Sequence, residues 1–182
     1  MSSDLENDVV MQGYKIDDAM KSMRILVDTR EKKNKHIAKA LEGRKCPFKP
    51  HKLDYGDYTC EYDTEDERGV IFADRVVVER KANLDELAGN ITKGRDRFAR
   101  EFQRAKDAGA KVYLMIESGN YDDIKNHRYR SMLPPNSFLN TLFSWQQKYN
   151  ITISFVSKQF AGDYIYATLF MALRDYLLYG GD

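Results

Sequence analysis

The sequence predicts an α/β domain, a mixed β-sheet flanked by helices. Three observations predict it. Short apolar runs rich in branched residues, Val76-Val77-Val78 above all, have the composition of buried strands. Leu84, Leu87, Ala88 and Ile91, and later Phe98, Phe102 and Ala105, recur at helical spacing. The order of these segments is strand, helix, several strands, two helices, strand, helix, strand, helix, which argues a compact domain with helices covering a mixed sheet.

Each element follows from local pattern. Residues 1–22 are polar and weakly periodic, and read as a flexible tail or a short appended helix; the domain proper is assigned to residues 23–182. Met23 to Val27 is a strand running into Asp28-Thr29-Arg30-Glu31. A helix is expected over Asn34–Leu41, stopped near Gly43 and before Pro47. Lys49–Leu53, the Gly56-Asp57-Tyr58 bend, Thr59–Tyr62, Val70–Phe72 and Arg75–Glu79 read as strands around a charged turn. Helices are expected over Asn83–Asn90 and Arg95–Asp107, the second ending at Gly109. Val112–Glu117 is a central strand, and Tyr121–Asn126 a short helix. Ser137–Tyr149, Ile151–Val156 and Asp163–Leu178 complete the chain as helix, strand and amphipathic helix.

Composition narrows the function classes. No apolar run approaches the roughly 18 residues that cross a bilayer, and the acidic N-terminus lacks the features of a secretory signal, so a cytoplasmic protein is expected. Cys46 and Cys60 make neither a disulfide framework nor a zinc site. The net charge is +1, yet Arg80 to Lys111 holds nine Lys and Arg against five Asp and Glu. A local basic patch matters more to phosphate binding than the total, although the same pattern also describes a solvated helix face.

The most informative segment is Val78-Glu79-Arg80-Lys81-Ala82-Asn83-Leu84-Asp85. Side chains alternate along a strand, so Glu79 and Lys81 share one face and Arg80 takes the other. Charges at the end of a buried strand are costly unless paired, hydrogen-bonded or metal-bound. The hairpin topology brings Asp57 towards Glu79, and Asp28 and Glu31 end the first strand at the same rim, with Asp85 a turn beyond Lys81. Such a group of carboxylates repels itself without a cation. Mg²⁺ or Mn²⁺ suits these oxygen ligands, and can activate water and offset charge on a phosphate. Lys81 would orient or deprotonate that water; burial and the acids push its pKa in opposite directions. Glu-Arg-Lys or Gly-Asp-Tyr alone is an ordinary strand end or turn; their succession after Asp-Thr-Arg-Glu is far more specific.

In these motifs, Asp28-Thr29-Arg30-Glu31, Gly56-Asp57-Tyr58 and Val78-Glu79-Arg80-Lys81 followed by Asp85, the sequence resembles the XPF/MUS81 (ERCC4-type) nuclease domain family. The resemblance spans residues 23 to about 178. It implies a restriction-endonuclease-like core and divalent-metal-dependent cutting of branched or flapped DNA, in repair or recombination. It implies Asp57 and Glu79 as principal metal ligands, Asp28 and Asp85 completing the acidic cluster, and Lys81 assisting the nucleophile. Glu31, Arg30 and Arg80 would support the site or contact phosphate. The basic motif Ile91-Thr92-Lys93-Gly94-Arg95 makes Lys93, Arg95 and Arg97 nucleic-acid contacts. Glu101 stands where many relatives place glutamine. Relatives commonly append a tandem helix-hairpin-helix module; with the sequence ending at Asp182, a stand-alone nuclease of the phage and bacterial kind is expected. The runners-up are a non-catalytic branched-DNA-binding module and a restriction or recombination nuclease of other substrate geometry.

Other residues are given structural roles. His36, His51 and His127 make no metal motif, and Ser118 lacks a nucleophile elbow. Tyr121, Tyr129 and Tyr149 are assigned to packing before base stacking, and Trp145 to the core or a subunit contact. The broad apolar face of the last helix is a candidate homodimer surface.

Overall fold

The computed structural model describes residues 15–180. A helix, α1, occupies residues 15–22; the remainder of the expected tail lies outside the described residues. Then come β1 (Arg24–Asp28), α2 (Lys35–Gly43), β2 (Phe48–His51), β3 (Tyr58–Tyr62), β4 (Val70–Ile71) and β5 (Val76–Lys81). They are followed by α3 (Leu84–Ile91), α4 (Arg95–Asp107), β6 (Lys111–Glu117), α5 (Tyr121–Lys125), α6 (Pro135–Tyr149), β7 (Thr152–Val156) and α7 (Ala161–Tyr179). Helix and strand identities agree with the sequence reading, with ends shifted by at most two residues.

The sheet runs β2-β1-β3-β5-β6-β7, with β4 paired to β3. The β1/β2, β5/β6 and β6/β7 pairs are parallel, whereas β3 runs antiparallel to both β1 and β5. One row therefore reads Val27, Tyr58, Val78, Tyr113 across four strands. The ends of β1, β5 and β6 and the start of β3 consequently share a rim.

Alternation within β5 assigns its two faces. Val77 packs with Leu84, Leu87, Phe98, Phe102 and Trp145, beneath α3, α4 and α6. Val76 and Val78 pack with Ile25, Ile37, Leu41, Ile165 and Leu169, beneath α2 and α7. Both layers are apolar, and all six β5 residues are buried. Trp145 belongs to the core, edge-on to Phe98 at 5.2 Å and to Phe102 at 5.4 Å, contacts of about 0.5–1.5 kcal/mol each beyond burial. Tyr149 and Tyr129 likewise pack on Phe102 and Phe138.

Candidate active site

Two carboxylates meet at the rim. The Tyr58–Val78 register carries Asp57 to a position opposite Glu79, where paired Cβ atoms stand about 5 Å apart. Gly56 makes this approach. Its φ is +73°, in the left-handed region, and a Cβ there would meet the Val77 Cβ at 2.8 Å. Asp57 then donates its N–H to the Val78 carbonyl at 2.9 Å, and its Oδ2 accepts the Arg80 N–H at 2.8 Å.

Both acids are pushed towards their neutral forms. Burial and then the charge of Glu79 push Asp57 well above the usual carboxylate range, with Lys81 offsetting part. Burial also raises Glu79, against the opposing pull of Lys81. Two such charges about 5 Å apart repel by roughly 3 kcal/mol at an effective dielectric near 20. Among the described residues Lys81 is the buried cation that meets this pair. Its Nζ lies 2.7 Å from Glu79 Oε1 and 4.7 Å from the centre of the Phe98 ring. Burial opposes its charge, but Glu79 and Asp57 outweigh burial and hold its pKa at about 12. Of the two opposing pushes the acids prevail in this arrangement, and Lys81 is an ammonium that donates hydrogen bonds.

Arg80 lies on the other face, as alternation requires, but not as a phosphate contact. Buried, it gives Nε and Nη2 to Glu117 at 2.8 and 3.0 Å and Nη1 to Glu31 at 2.8 Å. Its guanidinium is enclosed by carboxylates, which fits the expected supporting role and not the expected phosphate contact. Glu31 therefore joins this network rather than the Asp57–Glu79 pair.

Asp28 is adjacent in the sheet, donating its N–H to the Asp57 carbonyl at 2.8 Å, yet its carboxylate is spent. Oδ1 accepts the Arg30 N–H and Nε, both at 2.7 Å, and Oδ2 accepts Arg30 Nη2 and the Leu53 N–H. Burial raises its pKa, but these donors bring it below the ordinary value. Asp28 thus differs from the expected ligand: four donors compete with any cation. Asp85 departs further. At the start of α3 it accepts the Arg130 N–H at 2.6 Å and Nε at 2.8 Å, anchoring the loop before α6. Among the described residues no three His, Cys, Asp or Glu converge on one metal position. The donor chemistry still fits a hard divalent ion on two carboxylates, since Mg²⁺ keeps several waters and takes phosphate oxygens as further ligands.

Sequence reasoning gave no role at the site to three acids. Glu86, 3.8 Å from Lys81, and Glu101 of α4 both add negative charge around Glu79. Glu117 lies beneath Arg80 and also contacts His36 Nε2 at 2.8 Å. Its signal was the acid ending an otherwise apolar strand, the same signal that singled out Glu79.

The basic candidates lie on the α3–α4 turn and α4. Lys93, Arg95 and Arg97 are exposed. Arg30 is also exposed on the rim, though held by Asp28.

The comparisons agree with this architecture. The structure is similar to XPF from Aeropyrum pernix, with a TM-score of 0.62 at 21% identity, over 84% of this chain and 66% of that one. It is also similar to XPF from Aeropyrum pernix in a complex with DNA, with a TM-score of 0.61 at 21% identity, over 82% of this chain and 64% of that one. The chain thus spans slightly less than two thirds of those proteins. Among curated proteins none matches. The family model described as the ERCC4 domain matches residues 27–168, most of the chain. With the likeness in fold, that match identifies the chain as a member of the ERCC4 domain family.

Proposed function

We propose that this chain is a DNA endonuclease that uses Mg²⁺ or Mn²⁺ to hydrolyse phosphodiester bonds, preferentially in branched, flapped or forked DNA. The observation that carries the proposal is the Asp57–Glu79 pair, two buried carboxylates facing each other across the sheet, both raised above their ordinary range, with the Lys81 ammonium hydrogen-bonded to Glu79. Family membership supports the chemistry, and the DNA-bound Aeropyrum pernix XPF supports the substrate class.

A bound divalent ion would supply an activated water and charge neutralisation at the phosphate. Asp57 and Glu79 would hold it. Lys81, held as an ammonium by Glu79, would donate to a phosphoryl oxygen and offset its growing negative charge. Arg30, Lys93, Arg95 and Arg97 would grip neighbouring phosphates. The cleavage polarity that leaves a 5′ phosphate follows from the family resemblance alone. The same proposal includes a homodimer; the apolar face of α7 expected to form it packs Ile165, Leu169 and Leu173 into the core, which leaves Met171, Leu178 and Tyr179 exposed on that helix. It also includes action in the cytoplasm; among the described residues no helix is long and apolar enough to cross a membrane.

The test incubates purified protein with labelled duplex, single-stranded, flap, fork and four-way-junction DNA in Mg²⁺, Mn²⁺ or EDTA, beside Asp57→Ala and Lys81→Ala. Metal-dependent cutting that both substitutions abolish is expected. Binding without cutting of any substrate would establish the non-catalytic module instead. Sedimentation of the same protein tests the dimer.

A further inference from the structure

We propose that Glu117, at the end of β6, is a positioning residue that sets the Asp57 carboxylate through Arg80. The inference rests on the reading of Asp57 and Glu79 as the cation-holding pair.

The Asp57 carboxylate receives one hydrogen bond among the described residues, from the peptide N–H of Arg80 at 2.8 Å. The orientation of Asp57 therefore depends on where the Arg80 peptide stands. That peptide lies at the end of β5, and its side chain passes to the opposite face of the sheet. There Glu117 takes two guanidinium nitrogens, and Glu31 takes the third. Glu117 is 1% exposed and both its oxygens are engaged, Oε1 also by His36 of α2. Three elements, β5, β6 and α2, thus converge on one buried carboxylate directly behind the Asp57 contact.

Fold stability alone does not call for this arrangement. Val76 and Val78 precede Arg80 on the same face, and another apolar residue would extend that face without desolvating an ion pair; replacing buried pairs by apolar groups is often neutral or stabilising. What the ion pair provides is a fixed peptide at one address. Carboxylates that ligate metals are commonly held by such outer hydrogen bonds, whose loss weakens metal binding about 10- to 100-fold.

The test measures Mn²⁺ binding by electron paramagnetic resonance on the full chain without DNA, together with Tm. Glu117→Ala is expected to raise the Mn²⁺ Kd about 10-fold or more, and Glu117→Gln, which keeps one oxygen acceptor for Arg80, to restore part of it. Glu61→Ala removes an equally buried acid paired with Arg24 and Lys49, away from the pair on β3; it is expected to lower Tm with the Kd unchanged. A Kd unchanged in Glu117→Ala, or raised equally by Glu61→Ala, overturns the inference. If Glu117→Ala does not fold, Glu117→Gln and His36→Ala replace it: a smaller rise in Kd supports the inference, and wild-type affinity in both overturns it. Wild-type protein that binds no Mn²⁺ overturns the cation-holding pair itself, and this inference falls with it.

Discussion

Strand β3 carries acids towards both of its ends, and the two ends treat them oppositely. Near Tyr62, Glu61 is met by Arg24 and Lys49, and Asp63 by Arg24 and Arg68. Burial raises Glu61, but its cationic neighbours bring it below its ordinary value; Arg24 leads in lowering Asp63. At the start of β3, Asp57 faces Glu79, and both are raised. One end is satisfied by the chain itself. Among the described residues the other sets one buried lysine and the exposed Arg30, itself paired with Asp28, against Asp57, Glu79, Glu86 and Glu101. Since both groups are acids on one sheet, composition does not distinguish them; the count of cations within reach does.

The contrast breaks most visibly at Asp57. Asp57→Asn is expected to cut DNA hydrolysis by about 10³-fold, the loss of several kcal/mol of transition-state stabilisation, measured as single-turnover cleavage in Mg²⁺. In EDTA the same variant should be more stable than wild type at neutral pH. The sign follows from the raised pKa: the cost of ionising buried Asp57 is full above its folded pKa, fades as pH falls from there, and is gone below the ordinary value of 3.8. Equal stability in thermal denaturation at neutral pH would show that the two ends are alike.

Lys81→Met removes the only buried cation of the pair and is expected to destabilise the fold by about 3 kcal/mol, because Glu79 is left buried and unpaired. Urea titration measures this. Saturating metal should compensate from outside. Mn²⁺ at about 100 times its Kd stabilises by roughly 2.7 kcal/mol, a gain seen as a Tm rise in wild type and absent from Asp57→Asn.

Two smaller effects sharpen the comparison. Arg95→Ala should weaken DNA binding uniformly across sequences and lower the salt-dependence slope by about 0.9, one phosphate contact, read from fluorescence anisotropy over a salt series. At the satisfied end, Arg24→Ala should leave cleavage unchanged and flatten the acid limb of stability. Glu61 and Asp63 have folded pKas below their ordinary 4.5 and 3.8, so their stabilisation is present above those values and fades as pH falls through the lowered ones. The difference between wild type and Arg24→Ala in denaturation midpoint should therefore shrink across that window.

Much of this was legible in the residues because period and charge are local. Val76-Val77-Val78 announced a strand buried on both faces, and alternation placed Glu79 and Lys81 opposite Arg80. Gly56 before Asp57 announced the bend that joins the two acids. Partner choice was not legible, because it depends on which segments the topology brings alongside. Asp28 fits the acidic motif, but the backbone turns Arg30 and the Leu53 N–H onto it. Asp85 has the right spacing from Lys81, yet a loop 45 residues later captures it. Arg80 looked like a phosphate ligand until Glu117, on a strand reached by a crossover through α3 and α4, enclosed it.

Helix α4 unites two tasks along one axis. Phe98, Phe102 and Ala105 face inward, and Phe98 forms the floor under the Lys81 ammonium. Arg95, Arg97 and Arg100 face water. The outer row is therefore a tuning surface: its charges can be added, moved or deleted by mutation while the ring that seats the amine stays fixed. DNA contact, on the proposed function, has room to drift through descent or redesign on that side, whereas a change at Phe98 disturbs the seat of Lys81 and the helix together.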